Sequence, residues 1–159
     1  MRTFVKTDES YAEFIPNPQR QTALKGGKPN VTCDSLSTMP KQIIYTDQAP
    51  APIGPYSQAV KIGDTLYVSG QIAAELAPAG DIRAETRQVM ENVGAILRAA
   101  DMDYTNVVKA SIFVKDLNNF GAINEVYGSF FTADYPARET VEVARLPKDV
   151  NVEISVIAV

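Results

Sequence analysis

The most informative stretch of this sequence is PARETVEVARLPKDVNVEI, residues 136–154. Apolar and polar residues alternate on both sides of a Pro-Lys-Asp turn, and this pattern predicts two β-strands. Arg138 lies in the first predicted strand and Glu153 in the second, each among apolar neighbours. A guanidinium on a half-buried strand is costly to desolvate unless an anion meets it. That anion is either a protein carboxylate or a bound carboxylate ligand, which leaves a structural ion pair and a binding site as alternatives.

The spacing of Arg138 and Glu153 bears on this choice. A simple hairpin about residues 147–149 would place Glu153 opposite Val143, about five residues from Arg138, which is roughly 16 Å at the usual strand rise. Within one chain the two side chains would then not share one small ligand. Either the two strands do not form a simple hairpin, or the site combines residues from two subunits.

The sequence from residue 42 onward predicts one compact α+β domain with elements in the order β-β-β-α-β-α-β-β. The earlier strands are predicted at residues 42–45, 56–62, 65–70 and 107–114, with a tight turn at Gly63-Asp64. Apolar residues at three- and four-residue spacing predict a helix over residues 83–100 and a second helix that begins at an Asn118 N-cap. Two helices cover one face of the sheet, so we expect other copies of the chain to cover the second face.

Composition limits the chemistry. The 159 residues contain no histidine, which excludes an imidazole base and His-ligated metal sites. The single cysteine, Cys33, cannot form an internal disulfide, so we expect a reducing, cytoplasmic setting. A net charge of −4 argues against a surface that tracks nucleic-acid phosphates. Since no run of 18 apolar residues occurs, no membrane-spanning helix is expected.

Residues 1–38 differ from the rest of the chain. They are polar and aperiodic and contain the breakers Pro16, Pro18, Gly26, Gly27 and Pro29. We interpret them as a flexible or accessory N-terminal extension, followed by the functional domain over residues 39–159. Docking of this extension through its few apolar residues is the alternative. A mitochondrial presequence fits poorly, because such segments lack the acidic residues present here at Asp8, Glu9 and Glu13.

Four motifs in sequence order resemble the RidA/YjgF family of imine deaminases. They are APIGPYSQA at residues 51–59, VSGQ at 68–71, VKDLN at 114–118, and PAR at 136–138 followed by VEVARLP at 141–147. The resemblance spans residues 41–159 and implies a chorismate-mutase-like fold, with a mixed sheet, two helices on one face and a homotrimer with clefts between subunits. It also implies hydrolysis of 2-iminobutanoate and 2-iminopropanoate to 2-oxo acids and ammonia, with no cofactor. The family's substrates arise from pyridoxal-phosphate dehydratases, so a functional link to such enzymes is implied.

The resemblance assigns roles by position. Arg138 matches the arginine that clamps the substrate carboxylate, and Gly70 matches a glycine whose backbone N–H contacts the same group. Glu153 matches the acid that activates water, and the carbonyl of Thr140 is expected to help hold that water. The remaining residues expected to line the cleft are Tyr56, Ser69 and Asn124.

The residue types suit this chemistry. Arginine presents a planar fork of donors that fits a carboxylate, and fixing the carboxylate positions the adjacent imine carbon. Glutamate can accept a proton from the attacking water. Two other functions remain open: a non-catalytic regulator that binds small carboxylates, and an RNA-acting translation inhibitor, against which the acidic balance counts.

Overall fold

The computed structural model describes residues 39–159, so the predicted extension over residues 1–38 lies outside the described part of the chain. The predicted order of strands and helices is confirmed. In chain order the elements are β1 (Gln42–Ile44), β2 (Ala59–Ile62), β3 (Thr65–Gln71), α1 (Ile82–Ala99), β4 (Val107–Val114), α2 (Phe120–Gly128), β5 (Ala137–Glu142) and β6 (Val152–Ala158). The strands form one mixed six-stranded sheet in the order β1-β2-β3-β6-β4-β5.

Helix α1 forms where the periodicity predicts it. The Asp81 carboxylate accepts hydrogen bonds from the backbone N–H groups of Arg83 and Ala84, which satisfies donors that have no partner within the helix. The apolar stripe of the helix is buried against strands β3 and β6, and it comprises Val89, Val93, Ile96, Leu97 and Ala100. Helix α2 packs against α1, so both helices cover the same face of the sheet.

The two faces of the sheet differ in burial. In β4, Ala110, Ile112 and Val114 are fully buried under the helices, whereas the residues between them point to the opposite face and are only partly buried. Strand β6 shows the same alternation. We call this second surface the open face, and its members include Ile43, Val60, Tyr67, Lys109, Ser111, Phe113, Glu139, Val141, Glu153, Ser155 and Ile157.

The last two strands do not form a simple hairpin, which is one of the two alternatives that the spacing of Arg138 and Glu153 left open. Strand β5 pairs with β4 in parallel at the edge of the sheet, and β6 runs antiparallel between β3 and β4. The connection through α2 explains the parallel direction, because a helical crossover joins strands that run the same way. The Pro147–Asp149 turn does exist, but it carries the chain from the sheet edge to the sheet centre.

The predicted starts of the second strand and of the second helix differ from the structure. Strand β2 begins at Ala59, because Tyr56 lies in a turn in which its N–H donates to the carbonyl of Gly54. Asn118 is not the N-cap of the second helix. Asp116 instead caps a short 3₁₀ turn over Leu117–Asn119, and α2 follows directly. The predicted Gly63-Asp64 turn is confirmed, with Gly63 in the left-handed region at φ 55°.

Candidate functional site

The first candidate cavity lies beside the sheet edge on the helix side and contains Arg138. We call it the arginine half-site; its volume is about 400 Å³ and it is lined by Asn124, Tyr127, Gly128, Tyr135, Pro136 and Arg138. Asn124, Tyr127 and Gly128 belong to α2, where their spacing of three and four residues places them on one side of the helix. Two of the residues predicted for a binding site, Arg138 and Asn124, are thus brought together.

Aromatic rings hold the Arg138 guanidinium. Its central carbon lies 5.1 Å from the ring centroid of Tyr127 and 5.8 Å from that of Phe120. Such cation–π contacts orient the planar group but leave its N–H donors free for other partners. No ion pair joins Arg138 to another residue within 39–159. Burial raises the pKa of Tyr127 to about 12, although the Arg138 charge acts in the opposite direction, so Tyr127 is a neutral phenol beside the cation.

The second candidate cavity, the glutamate half-site, opens on the other side of the sheet. Its volume is about 270 Å³, and its lining comprises Ile53, Tyr56, Ser69, Gly70, Ile72, Pro147 and Glu153. Four residues predicted for the site are therefore gathered here: Tyr56, Ser69, Gly70 and Glu153. The Ser69 hydroxyl donates to the carbonyl of Ser57 at 2.7 Å, which ties strand β3 to the segment that carries Tyr56.

Gly70 makes room for the Glu153 carboxylate. Ser69 and Gly70 lie where the pairing between β3 and β6 shifts register, so they form an irregularity in the ladder. A Cβ at position 70 would overlap the Glu153 carboxylate oxygen and would lie 2.8 Å from its carboxyl carbon. The carboxylate therefore rests directly against the backbone at Gly70, which only a residue without a side chain permits.

Glu153 is half-buried and has no charged partner in the described part of the chain. No ion pair or side-chain hydrogen bond satisfies its carboxylate among residues 39–159, and burial alone raises its pKa above the ordinary value. A carboxylate with a raised pKa is a stronger base than one exposed to water, and perturbed carboxylates in cavities are typical of functional sites. The arrangement can hold and deprotonate a small donor such as water.

A structural ion pair between Arg138 and Glu153, one of the alternatives raised by the sequence, does not form within a single chain. Arg138 is aligned with Ala110 on the helix side, and Glu153 is aligned with Phe113 on the open face. The two residues lie two strands and three positions apart, which is roughly 14 Å between backbones. Since they also point to opposite faces of the sheet, one chain offers two separate half-sites.

Thr140 lines neither half-site. It lies in β5 two residues beyond Arg138 and faces the same side of the sheet, opposite Ile112. Its hydroxyl oxygen is buried and has no hydrogen-bond partner within the described part of the chain. Its role in holding water through the backbone carbonyl stays a prediction.

Several residues that line the half-sites were not among the predicted site residues, and two of them are large and exposed. Tyr135 lines the arginine half-site and is 68% exposed, and Ile53 lines the glutamate half-site and is 71% exposed. Each lies next to a proline, Pro136 or Pro52, in a connecting segment. A large apolar residue next to a proline in a connecting segment indicates a binding surface, and this signal is visible in the sequence.

The region covered by the structure shows no cluster of three or more acidic, cysteine or histidine side chains suited to a metal ion. Helices α1 and α2 are also too short or too polar to cross a membrane.

Comparisons with known proteins agree on one family. The family model described as Endoribonuclease L-PSP matches residues 46–159. A RutC family protein of Pyrococcus horikoshii is 49% identical over 122 residues, which cover 74% of this chain and 97% of that protein. A protein of Capra hircus named 2-iminobutanoate/2-iminopropanoate deaminase is 46% identical over 129 residues, which cover 78% of this chain and 93% of that protein.

A solved structure supports the same relationship. The crystal structure of TdcF of E. coli with bound serine superposes with a TM-score of 0.68 at 45% sequence identity, covering 74% of this chain and 98% of that one. The family model spans strands β2 to β6 and both helices, and the relatives are covered almost completely by this chain. The chain therefore belongs to the RidA/YjgF family.

Proposed function

We propose that this protein hydrolyses reactive 2-imino acids, such as 2-iminobutanoate and 2-iminopropanoate, to 2-oxo acids and ammonia. The observation that carries the proposal is that the chain presents two charged side chains without partners among the described residues, one in each half-site. Arg138 presents free donors in one half-site, and Glu153 presents a carboxylate of raised pKa in the other. The name of the goat relative, which is 46% identical, supports the same reaction.

Arg138 is proposed to bind the substrate carboxylate. A bidentate pair between guanidinium and carboxylate fixes orientation as well as adding binding energy, and the rings of Tyr127 and Phe120 keep the fork in place. The backbone N–H of Gly70 is proposed to contact the same carboxylate. Asn124 and Tyr56 line their respective half-sites and are proposed to enclose the rest of the small molecule.

Glu153 is proposed to act as the general base. Water attacks the imine carbon while Glu153 takes a proton from it, which forms a C–O bond and turns the C=N bond into a C–N bond. The proton then passes to the nitrogen, which gives a carbinolamine. Its hydroxyl proton also moves to the nitrogen, by way of Glu153, as the C–N bond breaks, so that ammonia leaves and the C=O bond of the 2-oxo acid forms. The carbonyl of Thr140 is proposed to help hold the water, and the imine is electrophilic enough to need no covalent nucleophile.

The complete site is proposed to form between copies of the chain in a homotrimer. Arg138 and Glu153 face opposite sides of one sheet, so a site that uses both requires residues from two subunits. The open face carries exposed apolar residues, among them Ile43, Tyr67 and Val141, that another copy would cover. Residues 39–159 are proposed to be the deaminase domain, and residues 1–38 an accessory extension.

The experiment couples the protein to a pyridoxal-phosphate-dependent threonine dehydratase and follows 2-oxobutanoate formation. We expect the rate of 2-oxobutanoate formation to rise in proportion to added protein until the dehydratase limits it. The Arg138→Ala variant is the control for any effect of protein addition alone. An unchanged rate over the whole concentration range would overturn the proposed activity.

A regulator that binds small carboxylates without catalysis is the second candidate. The bound serine in the TdcF structure favours it, because serine carries a carboxylate of the kind that Arg138 is suited to bind. Calorimetric binding of 2-oxobutanoate or serine without any acceleration of the coupled assay would support this candidate. Cleavage of an RNA substrate by the purified protein would support the nuclease activity that the family description names.

A further inference from the structure

A second carboxylate, Glu85 in α1, is fully buried and is not part of either half-site. It forms no ion pair with another residue of the range 39–159. Its carboxylate instead accepts hydrogen bonds from the backbone N–H groups of Asn151 and Val152, at 2.8 and 3.3 Å, and from the side-chain amide of Asn151 at 2.7 Å. A buried carboxylate is costly unless donors surround it, so this set of contacts is a specific one.

Asn151 is held from several directions. Its side-chain amide also donates to the carbonyl of Ala77 at 3.3 Å, and its own carbonyl accepts from the N–H of Lys115 at 3.0 Å. Glu85, Ala77 and Lys115 belong to three different parts of the fold. These contacts fix the backbone at Asn151 and Val152, the two residues immediately before Glu153.

The chain reaches this point through a turn in an unusual conformation. Lys148 and Asp149 both have φ values near +56°, in the left-handed region that side chains disfavour. Such a turn persists only where the surrounding contacts hold it. Because no partner holds the Glu153 side chain itself among the described residues, the position of its carboxylate over Gly70 depends on the backbone that Glu85 anchors.

We propose that Glu85 is a positioning residue that places Glu153 for catalysis by binding the backbone N–H groups of Asn151 and Val152. The inference rests on the proposed function, in which Glu153 is the general base. Glu85 does not touch the substrate. It acts through two residues of backbone, and a displacement of the base by about 1 Å is enough to lower the rate by as much as 10²-fold.

The test compares Glu85→Leu with Glu85→Gln in the coupled assay. Leucine keeps much of the volume but offers no acceptor, so we expect kcat to fall about tenfold or more while KM changes less than about twofold, because Arg138 is untouched. Glutamine keeps one oxygen for the two backbone N–H groups, so its kcat should stay within about threefold of the original. Tyr104→Phe is the matched control, since it removes another hydrogen bond to α1, donated to the carbonyl of Met90, without contact with Asn151.

A substrate-free readout separates the inference from the proposed function. Carboxyl NMR titration should show that the pKa of Glu153 moves back toward its ordinary value in Glu85→Leu and stays raised in Glu85→Gln and Tyr104→Phe. If Glu85→Leu does not fold, Asn151→Ala removes one of the three donors and should give a smaller change in the same direction. A folded Glu85→Leu protein whose kcat and Glu153 pKa are both the same as in the original protein would overturn the proposal. If the original protein shows no deaminase activity, the proposed function fails and the titration alone decides the role of Glu85.

Discussion

The two faces of the sheet follow different rules. The helix-covered face is built from apolar residues such as Ala110, Ile112 and Ile154, all fully buried within one chain. The open face mixes apolar side chains with Lys109, Glu139 and Glu153, which a single chain leaves partly exposed. The helix-covered face is buried within one chain, whereas the open face carries polar groups whose role depends on the molecule that contacts them. Arg138 and Glu153 belong to different faces, so the comparison also separates the two half-sites.

The largest effect is expected for Glu153→Gln on the open face. Glutamine keeps the size of the side chain but cannot take a proton, so turnover should fall by roughly 10²–10⁴. Calorimetric binding of 2-oxobutanoate should stay almost normal, because Arg138, which we propose binds the carboxylate, is unchanged. The coupled assay and calorimetry on one preparation measure both quantities, and an unchanged rate constant in the folded variant would leave Glu153 without a catalytic role.

On the helix side, Arg138→Ala should lower kcat/KM by about 10² or more with little change in the melting temperature, because it removes the proposed charged contact to the substrate but no ion pair among the described residues. Arg138→Lys should also be poor, since a point charge does not reproduce the planar fork. Near-normal turnover of the alanine variant would remove Arg138 from the mechanism.

Mixing the two inactive variants sharpens this prediction. If each site takes Arg138 from one subunit and Glu153 from its neighbour, unfolding and refolding an equal mixture of Arg138→Ala and Glu153→Gln should restore about a quarter of the original activity by random assembly. The doubly substituted protein, carrying both changes in every chain, is the control. A mixture as inactive as its components would contradict a site shared between subunits.

A smaller effect is expected where the glutamate half-site meets β3. In Gly70→Ala the new Cβ displaces the Glu153 carboxylate, so we expect about a tenfold loss of kcat, because the end of a flexible side chain can move and the fold can stay. Gly121→Ala in α2 is a matched control, because a Cβ at that position meets no atom within 4 Å and Gly121 lines neither half-site. Circular dichroism and the coupled assay check the result, and equal activity of both variants would place the carboxylate elsewhere.

The ion pair on the open face tests whether other copies cover it. Lys109 and Ser111 both donate to the Glu139 carboxylate, and these hydrogen bonds lower the pKa of Glu139. In Glu139→Ala the Lys109 charge loses its partner, so light scattering against dilution should show that the proposed trimer is weakened by roughly tenfold. Lys109→Met combined with Glu139→Leu should regain the lost association. If the original protein, Glu139→Ala and the double variant dissociate identically on dilution, the ion pair between Lys109 and Glu139 does not contribute to assembly.

The smallest effect is a change in melting temperature with pH. Burial raises the pKa of Glu153 in the folded protein, so its protonated form favours folding, and this contribution is lost as pH rises from the unfolded value of about 4.5 through the folded one. Glu153→Gln removes that loss. Its melting temperature should therefore equal or exceed that of the original protein at neutral pH, with the difference shrinking in acid, whereas a lower melting temperature at neutral pH would indicate a structural partner for Glu153.

Much of the fold can be predicted from the sequence because local patterns determine it. The stripe on α1 and the Gly63-Asp64 turn need no knowledge of distant residues. The pairing of β5 and β6 was not predictable from the Pro-Lys-Asp turn, because the choice of neighbour depends on the α2 connection. The strand–helix–strand order did indicate that β4 and β5 run parallel.

The candidate site divides in the same way. The resemblance identifies Arg138 and Glu153 by position. The face of the sheet that each occupies depends on how neighbouring strands are aligned, and the alternation of apolar and polar residues within one strand does not determine that alignment. Glu85 gives no signal in the sequence, since a glutamate in the first turn of a helix is ordinarily a solvent-exposed residue that favours the helix dipole. Only the fold places it under Asn151.

The position of β6 has a consequence for biosynthesis. This strand follows every other described element in the chain, yet it lies at the centre of the sheet between β3 and β4. During translation the β1–β3 meander and the β4–α2–β5 unit therefore emerge as two unjoined halves, with the edges of β3 and β4 unpaired. Exposed strand edges of this kind favour aggregation, so the nascent chain should depend most on chaperones just before residues 152–158 leave the ribosome.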